Sequence, residues 1–129
     1  MSITFPIVTK NSRADTIVDS IDLGTTNATG KLRLKDSSNN TLTEHLMSNP
    51  AFGAASGGAA VANSIGDGTG LITGQAVTFD LIDRDEVLIF SGTVGAVGSG
   101  ADLESTTSST AIAISENVPI TSLTYVEVS

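Results

Sequence analysis

The chain has 129 residues, 40% of them hydrophobic, and a formal net charge of −8 at pH 7. It contains six Lys and Arg, one His and no Cys, which excludes disulfides, thiolate catalysis and Cys-based zinc sites and argues against nucleic acid or an anionic membrane as a partner. The length and composition predict one domain, 1–129, with a core built from Val, Ile, Leu and Ala.

The first residues predict an edge strand or an extended arm within 1–10. Ile3, Phe5 and Ile7 alternate with Thr4 and Pro6, and proline cannot donate a hydrogen bond to a strand ladder.

One amphipathic helix is predicted next. Asn11 or Ser12 can cap it, and Gly24 can end it. The apolar positions follow helical spacing at i, i+3, i+4 and i+7, and they are Ala14, Ile17, Val18 and Ile21. The carboxylates Asp15, Asp19 and Asp22 are expected on the opposite side.

The segment from Gly30 to Asp36 predicts a strand with two different faces. Leu32 and Leu34 alternate with Lys31, Arg33 and Lys35, so the leucines point to one side and the cations to the other. A turn follows, and Thr41 to Met47 is predicted as the returning strand.

The segment from Asn49 to Gly58 consists almost entirely of small residues apart from Pro50 and Phe52. Pro50 interrupts regular structure. One interpretation is a loop pinned to the core by Phe52. The other is a contact in which small residues allow another subunit to approach the backbone.

The rest of the chain predicts further strands, and the whole pattern indicates a mainly β fold. The charged stretch from Asp83 to Glu86 is predicted as a solvated hairpin tip. The fold class is a β-sandwich or barrel-like domain of about seven to eight strands with one short N-terminal α-helix. The remaining predicted strands are Ala59–Ile65, Gln75–Asp83, Val87–Val94, Thr110–Ser115 and Ile120–Val128.

The sequence offers no set of catalytic, cofactor-binding or metal-binding residues. His45 lies beside Glu44 but lacks a nucleophile motif, which favours an ordinary surface or interface histidine. The acidic residues from Asp80 to Glu86 lack the ligand spacing of a calcium loop. The glycine-rich loops lack the Lys and Ser/Thr of a phosphate-binding loop.

The cations Lys31, Arg33 and Lys35 are half of all those in an otherwise acidic chain. They form either a solvated outer face that prevents sticking to neighbours or an electrostatic contact with an acidic patch on another copy or a host lattice.

A series of short motifs resembles small virion proteins of tailed bacteriophages. The similarity runs from about Arg13 to the C-terminus. The motifs follow the predicted helix in the order Leu32-Arg33-Leu34, Asn49-Pro50-Ala51-Phe52-Gly53, an Ala/Val-rich strand ending in Asn63, Val77-Thr78-Phe79 and Ser91-Gly92-Thr93-Val94-Gly95.

The resemblance implies a non-enzymatic head decoration or cement protein that is made in the host cytoplasm and located on the capsid surface. The expected partners are the major capsid protein or another virion protein and further copies of the chain, with a trimer favoured. We expect these contacts at residues that include Phe5, Lys31, Arg33, Lys35, Pro50 and Phe52.

Other function classes stay open. A neck, tail or fibre-associated component is a second structural hypothesis. A carbohydrate-binding β-module is a third, although the chain has no Trp and a single Tyr. An enzyme is disfavoured by the isolation of His45.

Overall fold

The computed structural model describes residues 4–105 and 109–126. Within them the predicted mainly β fold with one N-terminal helix is confirmed. More strands are present than expected, because several pairings are only two residues long. The elements are α1 (Ile7–Asp19), a 3-10 helix (Ser20–Asp22), β1 (Lys31–Lys35), β2 (Thr41–Leu46), β3 (Ala59–Val61), β4 (Gly68–Thr69), β5 (Gly74–Gln75), β6 (Thr78–Ile82), β7 (Leu88–Gly95), β8 (Leu103–Glu104), β9 (Ala111–Ile112), β10 (Asn117–Val118) and β11 (Thr124–Val126).

A five-stranded sheet in the order β2-β1-β6-β7-β8 forms the main layer. Its pairings are antiparallel except for β7 with β8, which is parallel. On β1, Leu32 and Leu34 are buried and the three basic residues are partly exposed. This confirms the predicted alternation, since successive side chains of a strand point to opposite faces.

In the described part of the chain, three two-stranded sheets pack near the inner face of the main sheet. They pair β3 with β11, β4 with β10 and β5 with β9. Ala60 of β3 and Ile112 of β9 belong to the same buried cluster as Leu32, Phe79 and Leu81 of the main sheet. The core therefore lies between the main sheet and these shorter strand pairs.

Helix α1 begins at Ile7, four or five residues before the predicted caps Asn11 and Ser12. Pro6 occupies the N-cap position with extended backbone angles, and its carbonyl accepts hydrogen bonds from the amides of Thr9 and Lys10. Residues 7–10 are therefore helical, and the predicted extended arm over 1–10 is wrong for this part. Residues 1–3 lie outside the described residues.

The apolar stripe of the helix is largely as predicted. Ala14, Val18 and Ile21 are buried, although Ile21 belongs to the short 3-10 helix that follows α1. The helix contacts β3 and β11, so it closes the core on the side of that strand pair.

The hairpin tip between β6 and β7 is exposed at Asp85 and Glu86, as the sequence predicts, and its charged side chains also bond to another segment of the chain. One carboxylate oxygen of Asp85 accepts hydrogen bonds from the amides of Thr25 and Thr26, both at 2.9 Å. Arg84 donates from Nε to the Asn27 carbonyl oxygen at 2.7 Å. The tip therefore fixes the segment that joins the helices to β1.

The C-terminal strands are shorter than predicted. β9 and β11 fall within the predicted strands, whereas β10 (Asn117–Val118) lies between two of them, where no strand is predicted. Residues 127 and 128 of the predicted last strand lie outside the described residues.

Candidate interaction surface

The outer face of β2, β1, β6 and β7 brings the three predicted cations together. The pairing register sets Arg33 opposite both Glu44 on β2 and Asp80 on β6, so one row of side chains crosses three strands. We call this surface, with its ion pairs, the ion-paired face. Its charged residues are Lys31, Arg33, Lys35, Glu44, Asp80 and Glu86.

Arg33 is the centre of the network on this face. Its Nε lies 2.7 Å from Glu44 Oε2, and its Nη2 lies 2.7 Å from Glu86 Oε1. The side chain is only 23% exposed. Because the planar guanidinium presents fixed donors in two directions, Arg33 joins a strand residue to a residue of the β6–β7 hairpin tip.

The two lysines complete the pairing. Lys31 Nζ lies 3.2 Å from Glu44 Oε1 and 3.7 Å from Glu86 Oε2, and Lys35 Nζ lies 3.0 Å from Asp80 Oδ2. Three cations are thus matched by three carboxylates of the same chain. The face presents alternating charges with no net excess, rather than the basic patch that the sequence indicates.

The carboxylate pKa values reflect this pairing. Burial opposes ionisation of Glu44, but hydrogen bonds from Arg33 and Lys31 outweigh it and hold the pKa of Glu44 below its ordinary value. For Glu86, the hydrogen bond and the charge of Arg33 lower the pKa. Both groups are therefore charged at neutral pH.

Two exposed leucines lie at the ends of the next row of side chains, which contains Lys31 and Ile82. Leu46 is opposite Lys31 on β2, and Leu88 is opposite Ile82 on β7. Their side chains are 58% and 55% exposed. The ion-paired face is therefore flanked by aliphatic groups that the sequence analysis did not single out, and the pairing register is what identifies them.

The structure places Phe52 in the core. Its side chain is 4% exposed, and the residue forms an isolated β-bridge with Ala62. This is the arrangement of a loop pinned by its phenylalanine. The ring cannot reach a partner in this conformation. Exposed residues beside it in the loop, which include Pro50, can still do so.

Three polar side chains from the two helices hold this loop in place. Asp22 accepts from the Ala51 amide at 3.0 Å, Asp15 from Ala55 at 2.7 Å, and Asn11 from Gly58 at 2.8 Å. The prediction that Asp15 and Asp22 face away from the fold is wrong. Sequence periodicity identified the apolar stripe but not the acceptors beside it.

Phe5, the remaining contact candidate, lies just before the helix. Its ring is half-buried, and the guanidinium carbon of Arg13 lies 4.5 Å from the ring centroid. This is a cation–π contact that holds the segment before the helix against α1.

His45 is a core residue, which corrects the prediction of a surface or interface histidine. Its side chain is 0% exposed. Nε2 lies 2.8 Å from Thr43 Oγ1, and Nδ1 lies 2.9 Å from the Gly66 carbonyl oxygen. Burial lowers the pKa of His45. With both ring nitrogens bound to its own chain, His45 has no free site for a substrate proton.

A cleft of about 190 Å³ lies beside the short strands β8, β9 and β10. Its lining includes the apolar residues Leu34, Leu103 and Ile112 and the acidic residues Glu104 and Glu116. Both Glu104 carboxylate oxygens already accept hydrogen bonds, from the amides of Gly98 and Gly100.

Within residues 4–105 and 109–126, no group of three His, Asp or Glu side chains is arranged to hold a metal ion. Over the same residues, no helix combines the length and the apolarity needed to cross a membrane. No protein-family model, no curated protein and no solved structure gives a significant match to this chain.

Proposed function

We propose that this chain is a non-enzymatic structural protein of a tailed-phage virion, which binds the capsid lattice as a decoration or cement protein and works as a homotrimer. The ion-paired face is the observation that carries the proposal. It is a preorganised surface of alternating charges, and two exposed leucines flank it.

Such a face suits docking between proteins for a physical reason. Its charged groups are held in fixed positions by partners in the same chain, so binding costs little additional side-chain ordering. The leucines supply apolar area, while the charge pattern selects a complementary partner. On a repeating lattice, many weak contacts of this kind give strong attachment through multivalency.

The placement of His45 supports a binding role over catalysis. A general base must reach a substrate proton, whereas both nitrogens of His45 are buried and bound within the chain. The single tyrosine gives little support to a carbohydrate-binding role. Tyr125 packs against Phe90 with 5.1 Å between ring centroids and is half-buried.

The direct test is binding to expanded, undecorated capsids. Wild-type protein should bind to saturation, and the variants Leu46→Asp and Leu88→Asp should each weaken binding at least tenfold. Leu71→Asp is the matched control, because Leu71 is a similarly exposed leucine (52%) outside the ion-paired face. Equal binding by all four proteins would contradict the role of this face. Failure of the wild type to bind heads, with binding to necks or tails, would favour the second structural hypothesis.

Replacing all three cations by glutamate is a poor test, because it would place six carboxylates on one face and weaken the fold. A better variant combines Lys35→Asp with Asp80→Lys. It preserves an ion pair at this position while reversing its direction. Reduced capsid binding with unchanged thermal stability is expected if the charge pattern contacts the lattice. Unchanged binding would show that this pair only stabilises the sheet.

A further inference from the structure

His45 joins the main sheet to a loop that carries a separate strand pair. A carbonyl oxygen only accepts, so the contact with Gly66 requires the proton on Nδ1. Burial opposes a positive charge on the ring, so we assign the neutral tautomer, in which Nε2 accepts from the Thr43 hydroxyl.

The loop after Gly66 lies directly on the imidazole. A Cβ atom added at Gly68 would be 2.6 Å from His45 Cε1 and 2.7 Å from Nε2, so only glycine can pack here without displacing the ring. The amide of Gly66 also donates to the Leu46 carbonyl at 2.9 Å. Both the carbonyl and the amide of Gly66 are thus hydrogen-bonded to residues of β2.

This attachment extends to the C-terminal part of the chain. Gly68 and Thr69 form β4, which pairs with Val118 and Asn117 of β10. The amide of Gly70 donates to the Glu116 carbonyl at 2.8 Å. Movement of the loop away from His45 would therefore carry the β4–β10 pair with it, along with the wall of the cleft that β10 forms.

We propose that His45 is an acid-sensitive latch: protonation of its buried ring releases the loop at residues 66–70 and the β4–β10 pair from the edge of β2. This inference is independent of the proposed virion function.

The groups around the ring compensate only in part for a positive charge: the Gly66 carbonyl oxygen and the Asp67 carboxylate favour protonation, but burial outweighs both. Leu32 lies opposite on β1, and the carboxylate of Glu44 is on the other face, paired with Lys31 and Arg33. Asp67 on the loop is the acidic group whose charge favours protonation. From β10, the Asn117 side chain donates to Asp67 at 3.3 Å.

The direction of the pH effect follows from these surroundings. Burial holds the pKa of His45 below its ordinary value of 6.5, so the unfolded or released state binds the proton more readily than the closed state. The latch contributes fully above pH 6.5. Its contribution decreases as the pH falls from 6.5 towards the lower pKa of the closed state.

The test is site-resolved amide hydrogen exchange at pH 7.5 and pH 5.0, corrected for the intrinsic pH dependence of exchange. In the wild type, we expect protection of Gly66, Gly70 and Leu71 to fall at least tenfold at pH 5.0, with little change in the β1–β6 ladder. In His45→Gln, whose neutral amide can donate to Gly66 and accept from Thr43, protection should not depend on pH in this range. An equal loss in both proteins would overturn the proposal, as would no loss in the wild type.

A second measurement covers the case in which His45→Gln fails to fold. The chain has one histidine, so its imidazole NMR signals are unambiguous in the untagged wild type. Titration of these signals should coincide with the loss of protection at residues 66–71. Loss of protection while the ring stays neutral would contradict the latch, and so would protonation without loss.

Discussion

The variant Phe52→Ala tests whether Phe52 anchors its loop to the core or serves as a surface contact. The ring is 4% exposed and lies in the main hydrophobic cluster. Phe→Ala changes at buried sites cost about 3–5 kcal/mol, because both the transfer energy and the filled space are lost. For a domain of this size, we expect Phe52→Ala to lower the melting temperature by about 10–20 °C.

The assay is urea denaturation of the purified protein, followed by circular dichroism and compared with wild type and Phe5→Ala. Phe5 is half-buried, outside the main hydrophobic cluster, and contacts Arg13, so its truncation should cost about 1 kcal/mol or less. A loss below about 1 kcal/mol for Phe52→Ala would refute the reasoning. It would mean that the ring does not anchor the loop from Asn49 to Gly58 in solution.

Two further predictions concern backbone contacts. Gly70→Ala should destabilise the fold by about 1–3 kcal/mol, because the new methyl group would collide with the Ala113 carbonyl oxygen. Gly53→Ala is the control, because its methyl group would meet only ordinary contacts, and equal melting temperatures of the two variants would contradict the packing at Gly70. Asp15→Ala should cost about 1–2 kcal/mol by removing the acceptor of the Ala55 amide, whereas Asp15→Asn keeps an acceptor and should cost less. If chemical denaturation shows Asp15→Asn to be the less stable variant, this hydrogen bond does not stabilise the fold.

Local patterns predicted the parts of the fold that depend on neighbouring residues. The alternation in β1 identified both of its faces, and helical spacing identified Ala14 and Val18 as buried. The start of the helix was missed because Ile7, Val8 and Thr9 are β-branched, which suits strands. Pro6 is nevertheless well placed to precede a helix, and its carbonyl accepts the first hydrogen bonds.

The candidate surface was harder to predict because it depends on register between distant segments. The sequence showed that Lys31, Arg33 and Lys35 share a face, but Glu86 reaches Arg33 only through the hairpin of β6 and β7. The same limit applies to His45. Its acceptor, Gly66, is separated from it by 21 positions, and no local pattern indicates that a loop covers the ring.

The location of the docking surface is measured most directly by hydroxyl-radical footprinting of free and capsid-bound protein. The proposal predicts that Leu46 and Leu88 become protected on binding while Leu71 stays reactive. Protection of Leu71, with Leu46 and Leu88 as reactive as in the free protein, would contradict the assignment of the ion-paired face as the contact with the lattice.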